Sequence, residues 1–266
     1  MNNISFPKLN ISLNIDPVAF SIGIRDVYWY ALIILTGFLL GALFVYRTCE
    51  KRGVEKNDVW DIAMFGLVAG ILGARIYYVL FALDDFKNDW TDIFKIWNGG
   101  LAIYGGIIGA VISTYVICRI RKLNFKNVCD VCCGGLFIGQ AIGRFGNFVN
   151  AEVYGRETSL PWGMSINGGA SVHPLFIYES LWNVLGFILL VIFRDKKKAD
   201  GQVFCFYIFW YSLGRLFLEG MRNSAYILYL VPDKIGISQA VALFLVIASA
   251  ISFFLLGKNG NRLVAE

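Results

Sequence analysis

Apolar residues run for long stretches in this chain, and polar residues collect in the short gaps between them. Seven runs, at residues 27–45, 59–81, 99–117, 131–149, 175–193, 203–219 and 237–256, reach about the 20 residues a helix needs to cross the hydrocarbon core of a bilayer. The pattern predicts an all-α, polytopic membrane protein with about seven transmembrane helices. It reads as a single integral membrane domain over residues 1–266, with a short polar N-terminal segment (1–26), a helical bundle (about 27–257) and a short tail (258–266). Residues 1–17 lack a basic start followed by a short apolar core, so no cleavable signal peptide is expected.

Composition agrees with the pattern. Of the 266 residues, 57% are hydrophobic and 16% charged, against roughly 45–50% and about 25% in soluble domains. The aromatic content excludes disorder, and the glycines and missing heptads exclude a coiled coil. The formal charge of +5 does not mark a nucleic-acid-binding face, because the basic residues fall in short clusters between apolar runs. One set of loops carries Arg47, Lys51, Arg52 and Lys56, then Arg119, Arg121, Lys122 and Lys126, then Arg194, Lys196, Lys197 and Lys198. The other set is sparser, with Lys8, Arg25, Lys87, Lys95, Arg156, Arg222 and Lys234. The positive-inside rule makes the first set cytoplasmic, with the N-terminus outside and the tail inside. All six cysteines then fall at cytoplasmic helix ends or loops, where thiols stay reduced. Cys129-x-x-Cys132-Cys133 reads as packed thiols, since zinc takes four ligands and the single histidine, His173, falls on the opposite side. No metal, nucleotide or nucleic acid is implied.

Ionisable residues at membrane depth carry the functional signal, because burying a charge in lipid is costly. Arg75, Arg144, Arg215, Glu219 and Glu179 all fall in the outer half of their expected spans. Snorkelling to the headgroups is the plain reading for any one of them, and for Arg75 alone both readings stand. The set is better organised than that. Tyr211, Arg215, Glu219 and Arg222 share a helical face at spacings of four, four and three. Arg144, Asn147 and Asn150 repeat at three, with Glu152 and Arg156 just beyond. Two arginines from different helices at headgroup depth suit a phosphate, since the guanidinium is a planar, always-charged fork.

The run from Gly143 to Arg156, GRFGNFVNAEVYGR, resembles the signature of the prolipoprotein diacylglyceryl transferases. Trp29-Tyr30, Gly73-Ala74-Arg75, His173-Pro174, Tyr178-Glu179, and Tyr211, Arg215, Glu219 and Arg222 match in the same order. The family's seven spans and outside N-terminus match too. Many members carry a histidine, often proposed as base, where this chain has Tyr104.

The resemblance implies an enzyme of the bacterial plasma membrane whose site faces the outer leaflet. It would transfer the diacylglyceryl group of phosphatidylglycerol to the lipobox cysteine of preprolipoproteins, forming a thioether and releasing glycerol phosphate. Its partners would be phosphatidylglycerol, preprolipoproteins and membrane lipid, with no cofactor. The catalytic candidates are Arg144, Arg215, Tyr104 and His173. Substrate binding would fall to Arg144, Asn147, Glu152, Gly155, Tyr30, Arg75, Tyr211 and Glu219. Tyr30 reads equally as an interfacial belt residue, and His173 as a loop-shaping one. Proton removal from the thiol is open between Tyr104, His173 and no side-chain base. The alternative is a phospholipid transporter or flippase using the same arginines, although no repeat is visible.

Overall fold

The computed structural model describes residues 1–23, 25–87, 89–227, 229–231 and 235–263. Lys234 and the end of the expected tail, residues 264–266, lie outside these. Seven α-helices follow one another: α1 (Trp29–Thr48), α2 (Lys56–Phe81), α3 (Ile103–Arg121), α4 (Phe125–Val149), α5 (Leu175–Phe193), α6 (Gln202–Glu219) and α7 (Ile237–Leu263). All except α6 are long and apolar enough to cross a membrane. Helix α6 has 18 residues and carries Arg215 and Glu219 near its end. The chain is an all-α, multi-pass membrane protein; among the described residues six helices are long and apolar enough to cross a membrane, and α6 is the polar member of the set.

Most helix ends fall within a few residues of the apolar runs. Helix α3 starts at Ile103 rather than near residue 99, because Gly99 and Gly100 take φ of +88° and +71°, which a right-handed helix excludes. Helix α7 continues to Leu263, beyond its run. The N-terminal segment, expected only as polar, is built from strands. Strand β1 (Asn2–Phe6) pairs antiparallel with β2 (Ile11–Ile15) on one side and with β5 (Ser165–Ile166) on the other. Strands β3 (Val18–Ile22) and β4 (Arg25–Tyr28) form a second antiparallel pair leading into α1. Ile4 and Phe6, two apart and so on one face of β1, are buried with Met164, Val172 and Phe176.

The chain divides into two compact units, Met1–Phe44 with Cys132–Glu266, and Val45–Val131. In the first, α1 lies close against α4; a Cβ on Gly41 would sit 2.6 Å from the Gly135 carbonyl oxygen. A core of Cys133, Phe137, Leu190, Val203 and Tyr207 joins α4, α5 and α6. Helices α5 and α6 are also pinned by a reciprocal pair of indoles. Trp182 and Trp210 stack with centroids 4.5 Å apart, and each Nε1–H donates to the other's main-chain carbonyl at 2.9 Å. Gly186 and Gly214 make room for these rings. In the second unit, α2 and α3 meet along small residues, Ala69, Gly70 and Gly73 against Gly105, Gly106 and Gly109.

Candidate active site

Three helix ends of the first unit converge: the last turns of α4 and α6 and the first turns of α5. Alternating helix direction requires this for consecutive antiparallel helices, and it brings together charges far apart in sequence. Glu179, 4% exposed, faces three arginines. Its Oε2 lies 2.5 Å from Arg144 Nε, and its Oε1 lies 3.1 Å from an Arg222 terminal nitrogen and 3.7 Å from one of Arg215. Glu219, 2% exposed, takes Arg215 at 2.8 Å and the Nε of Arg222 at 3.4 Å. The last two contacts are the i+4 and i+3 neighbours that the α6 face and the turn after it supply. Three guanidinium groups thus meet two carboxylates, and the cluster carries one uncompensated positive charge.

A small pocket opens on this cluster, walled by Arg144, Glu179, Arg215 and Tyr211 together with Trp182 and Asn183. Arg144, Arg215 and Tyr211 are brought to one place, and Glu219 braces Arg215. Glu179 and Arg222 stood out in the sequence as charges without an assigned role; here they are the centre and one arm of the network. Trp182 and Asn183 were not singled out at all. Their positions, three and four residues after Glu179 on the same helix face, are the signal that would have found them.

The loop after α4 is built by its own backbone. Ala151 takes φ of +54°, the Glu152 N–H donates to the Asn147 carbonyl at 3.0 Å, and the Ala151 N–H donates to that of Phe148 at 3.0 Å. This is a Schellman ending with alanine where glycine is usual. Val153 follows at φ of +56°, a strained conformation for a β-branched residue. The loop turns Glu152 back so that its Oε1 accepts from Asn147 Nδ2 at 3.0 Å and from Asn150 Nδ2 at 3.4 Å. Gly155 donates to the His173 carbonyl at 3.0 Å, and Arg156 donates to that of Met221 at 2.8 Å. Asn147, Asn150 and Glu152 therefore form a second cluster, while Gly155 and Arg156 tie the loop by main-chain bonds to His173 and to the segment that holds Arg222. The Tyr30 ring packs over Gly146 at the start of α1.

His173 sits in the loop before α5. Its Nδ1 lies 3.3 Å from the Tyr178 hydroxyl, whose oxygen also accepts from Trp162 Nε1 at 2.7 Å. Burial pushes the imidazole below its ordinary value, favouring the neutral ring. Arg75 and Tyr104 belong to the Val45–Val131 unit. Tyr104 is half exposed, one residue into α3. Arg75 is buried, and its donors are spent on main-chain carbonyls: Ile93 at 2.8 Å, Asp92 at 2.6 Å, Gly99 at 2.8 Å and Gly100 at 2.9 Å. Its guanidinium also lies over the Phe86 ring at 5.2 Å. It fastens the segment between α2 and α3. Among the described residues, no group of three or more His, Cys, Asp or Glu side chains is placed to hold a metal ion.

Comparison with known proteins sharpens this picture. The family described as prolipoprotein diacylglyceryl transferase matches residues 17–255. A phosphatidylglycerol–prolipoprotein diacylglyceryl transferase from Finegoldia magna is 42% identical, over 89% of this chain and 94% of its own. Proteins of the same name from Listeria monocytogenes and Clostridioides difficile are 41% and 38% identical, over 88% and 94% of this chain and 87% and 99% of theirs. The matched segment contains every charge of the arginine cluster and the loop after α4; the chain belongs to the prolipoprotein diacylglyceryl transferase family.

Proposed function

We propose that this enzyme transfers the diacylglyceryl group of phosphatidylglycerol to the lipobox cysteine of a preprolipoprotein at the pocket between α4, α5 and α6. The observation that carries the reading is the charge of the cluster. Three arginines against two glutamates leave +1, the complement of a phosphodiester's single negative charge. Fixed donors in a water-poor site stabilise negative charge that grows on a leaving group without reorganising at the moment of reaction. The substrate thiol supplies the sulfur. It attacks the glyceryl carbon, a C–S bond forms as the C–O bond breaks, and the electron pair leaves on the oxygen of glycerol phosphate.

Arg144 and Arg215 hold the phosphate, and Arg222 holds the two carboxylates that aim them. The thiol proton requires no fixed imidazole. A thiol near 8.5 ionises readily once an arginine cluster lowers its value, and His173 Nδ1 is already within reach of the Tyr178 hydroxyl. Asn147, Glu152 and Gly155 shape the rim, Tyr30 and Tyr211 supply hydroxyls, and no cofactor takes part. The distribution of basic loops supports a site on the exterior side of the plasma membrane, open to the outer leaflet.

The test is transfer by purified protein from phosphatidylglycerol to a lipobox peptide, beside a cysteine-to-serine peptide and an Arg144→Ala enzyme. Lipid should appear on the cysteine peptide alone, and Arg144→Ala should abolish transfer while the protein stays folded. Near-normal activity of that variant would remove Arg144 from the site.

A further inference from the structure

The arginine cluster accounts for a phosphate, but a buried amide beside it has no assigned role. Asn183 lies one turn beyond Glu179 on α5 and is 3% exposed. Its Nδ2 donates to the main-chain carbonyl of Glu179 at 2.8 Å. Its Oδ1 is buried with no hydrogen-bond partner among the described residues. A buried acceptor without a donor weakens a fold, and native structures keep few of them. This one belongs to a side chain lining the same pocket as Arg144 and Arg215.

The neighbours narrow what Oδ1 is for. The carboxylates of Glu179 and Glu219 already face arginines, and the arginines only donate. Trp182, Gly214 and Leu218 offer apolar wall. A ligand anchored by its phosphate on the arginines therefore finds few places to deliver a hydrogen bond from the part beyond the phosphate. A headgroup hydroxyl supplies the donor that Asn183 Oδ1 lacks.

Building on the function proposed above, we propose that Asn183 is a specificity-determining residue: its Oδ1 accepts a hydrogen bond from a headgroup hydroxyl, so the pocket favours phospholipids whose headgroup carries one. A site built to bond a hydroxyl discriminates against the analogue that lacks it, because the buried acceptor is then left unpaired.

The experiment compares kcat/KM for transfer to one lipobox peptide from phosphatidylglycerol and from phosphatidylpropanol with the same acyl chains, in vesicles of otherwise equal composition. The intact enzyme should prefer the glycerol headgroup about tenfold or more. Asn183→Leu, close in shape but without an acceptor, should bring that ratio to about one; should it not fold, Asn183→Ala carries the same comparison. A ratio near one in the intact enzyme overturns the proposal whatever the variants do. A preference that survives loss of the asparagine overturns it too, because the headgroup is then read elsewhere. Both results leave the transferase reading standing. Absence of transfer from either lipid by folded enzyme overturns that reading, and this proposal with it.

Discussion

Replacing Glu179 by glutamine removes one negative charge while keeping the side chain's length and one carbonyl acceptor. The carboxylate lies 2.5 Å from Arg144, 3.1 Å from Arg222 and 3.7 Å from Arg215. At an effective dielectric of about 20, the shortest of these contacts alone represents roughly 6–7 kcal/mol of gross attraction. Desolvation offsets much of that, and removing one partner of a buried pair costs about 3–5 kcal/mol net. The cluster's excess charge then rises from +1 to +2. Tm in detergent should fall by roughly 10 °C, and transfer should fall with it as the three guanidinium groups spread apart. Inorganic phosphate should restore stability more effectively in Glu179→Gln than in the unaltered enzyme, because an anion replaces the lost carboxylate. The assay is thermal unfolding across a phosphate series. A Tm within 2 °C of the unaltered enzyme, with the same phosphate response, would refute the view that this carboxylate organises the arginines.

Arg75→Gln should cost at least about 3 kcal/mol, since hydrogen bonds from a charged donor contribute about 1.5–3 kcal/mol each. Protease cleavage within residues 82–102 should increase, and Arg75→Lys should not rescue it, a point charge being unable to span four carbonyls. Lost transfer with unchanged stability would instead place Arg75 on substrate. Because the folded pKa of His173 lies below its unfolded value near 6.5, the stability this ring contributes is fully present above pH 6.5 and is lost as pH falls below it through the folded pKa. Thermal melts between pH 5 and 8 should show the decline, and His173→Gln should flatten it. Gly41→Ala should destabilise by about 1–3 kcal/mol in chemical or thermal unfolding, its Cβ meeting the Gly135 carbonyl at 2.6 Å. Gly139→Ala, whose nearest neighbour across the same helix pair is at 3.7 Å, should be neutral or stabilising by up to about 1 kcal/mol.

The helices were legible because lipid forces every spanning segment to declare itself in composition. Strand β1 was not. Ile4 and Phe6 alternate correctly, but the partner that gives them a buried face, β5, lies more than 150 residues away. The same asymmetry runs through the site. Arg144, Arg215, Glu219 and Tyr211 stand out because polar groups on apolar helices are conspicuous. Trp182 does not, since an aromatic residue on an aromatic-rich helix has no contrast. Asn183 is conspicuous only once its unpaired oxygen is seen. Nothing in the sequence around Arg75 indicates that carbonyls 17 to 25 residues further on will occupy it.

The one-charge excess of the arginine cluster also bears on how a catalytic cycle ends. The proposed substrate is a phosphodiester with one negative charge, but glycerol phosphate is a monoester whose second ionisation falls near pH 6, so it leaves with close to two. Electrostatics alone then make the site hold the departing molecule more firmly than the arriving one. Glycerol phosphate should therefore act as a competitive inhibitor, and its inhibition should weaken as the medium is acidified toward pH 6.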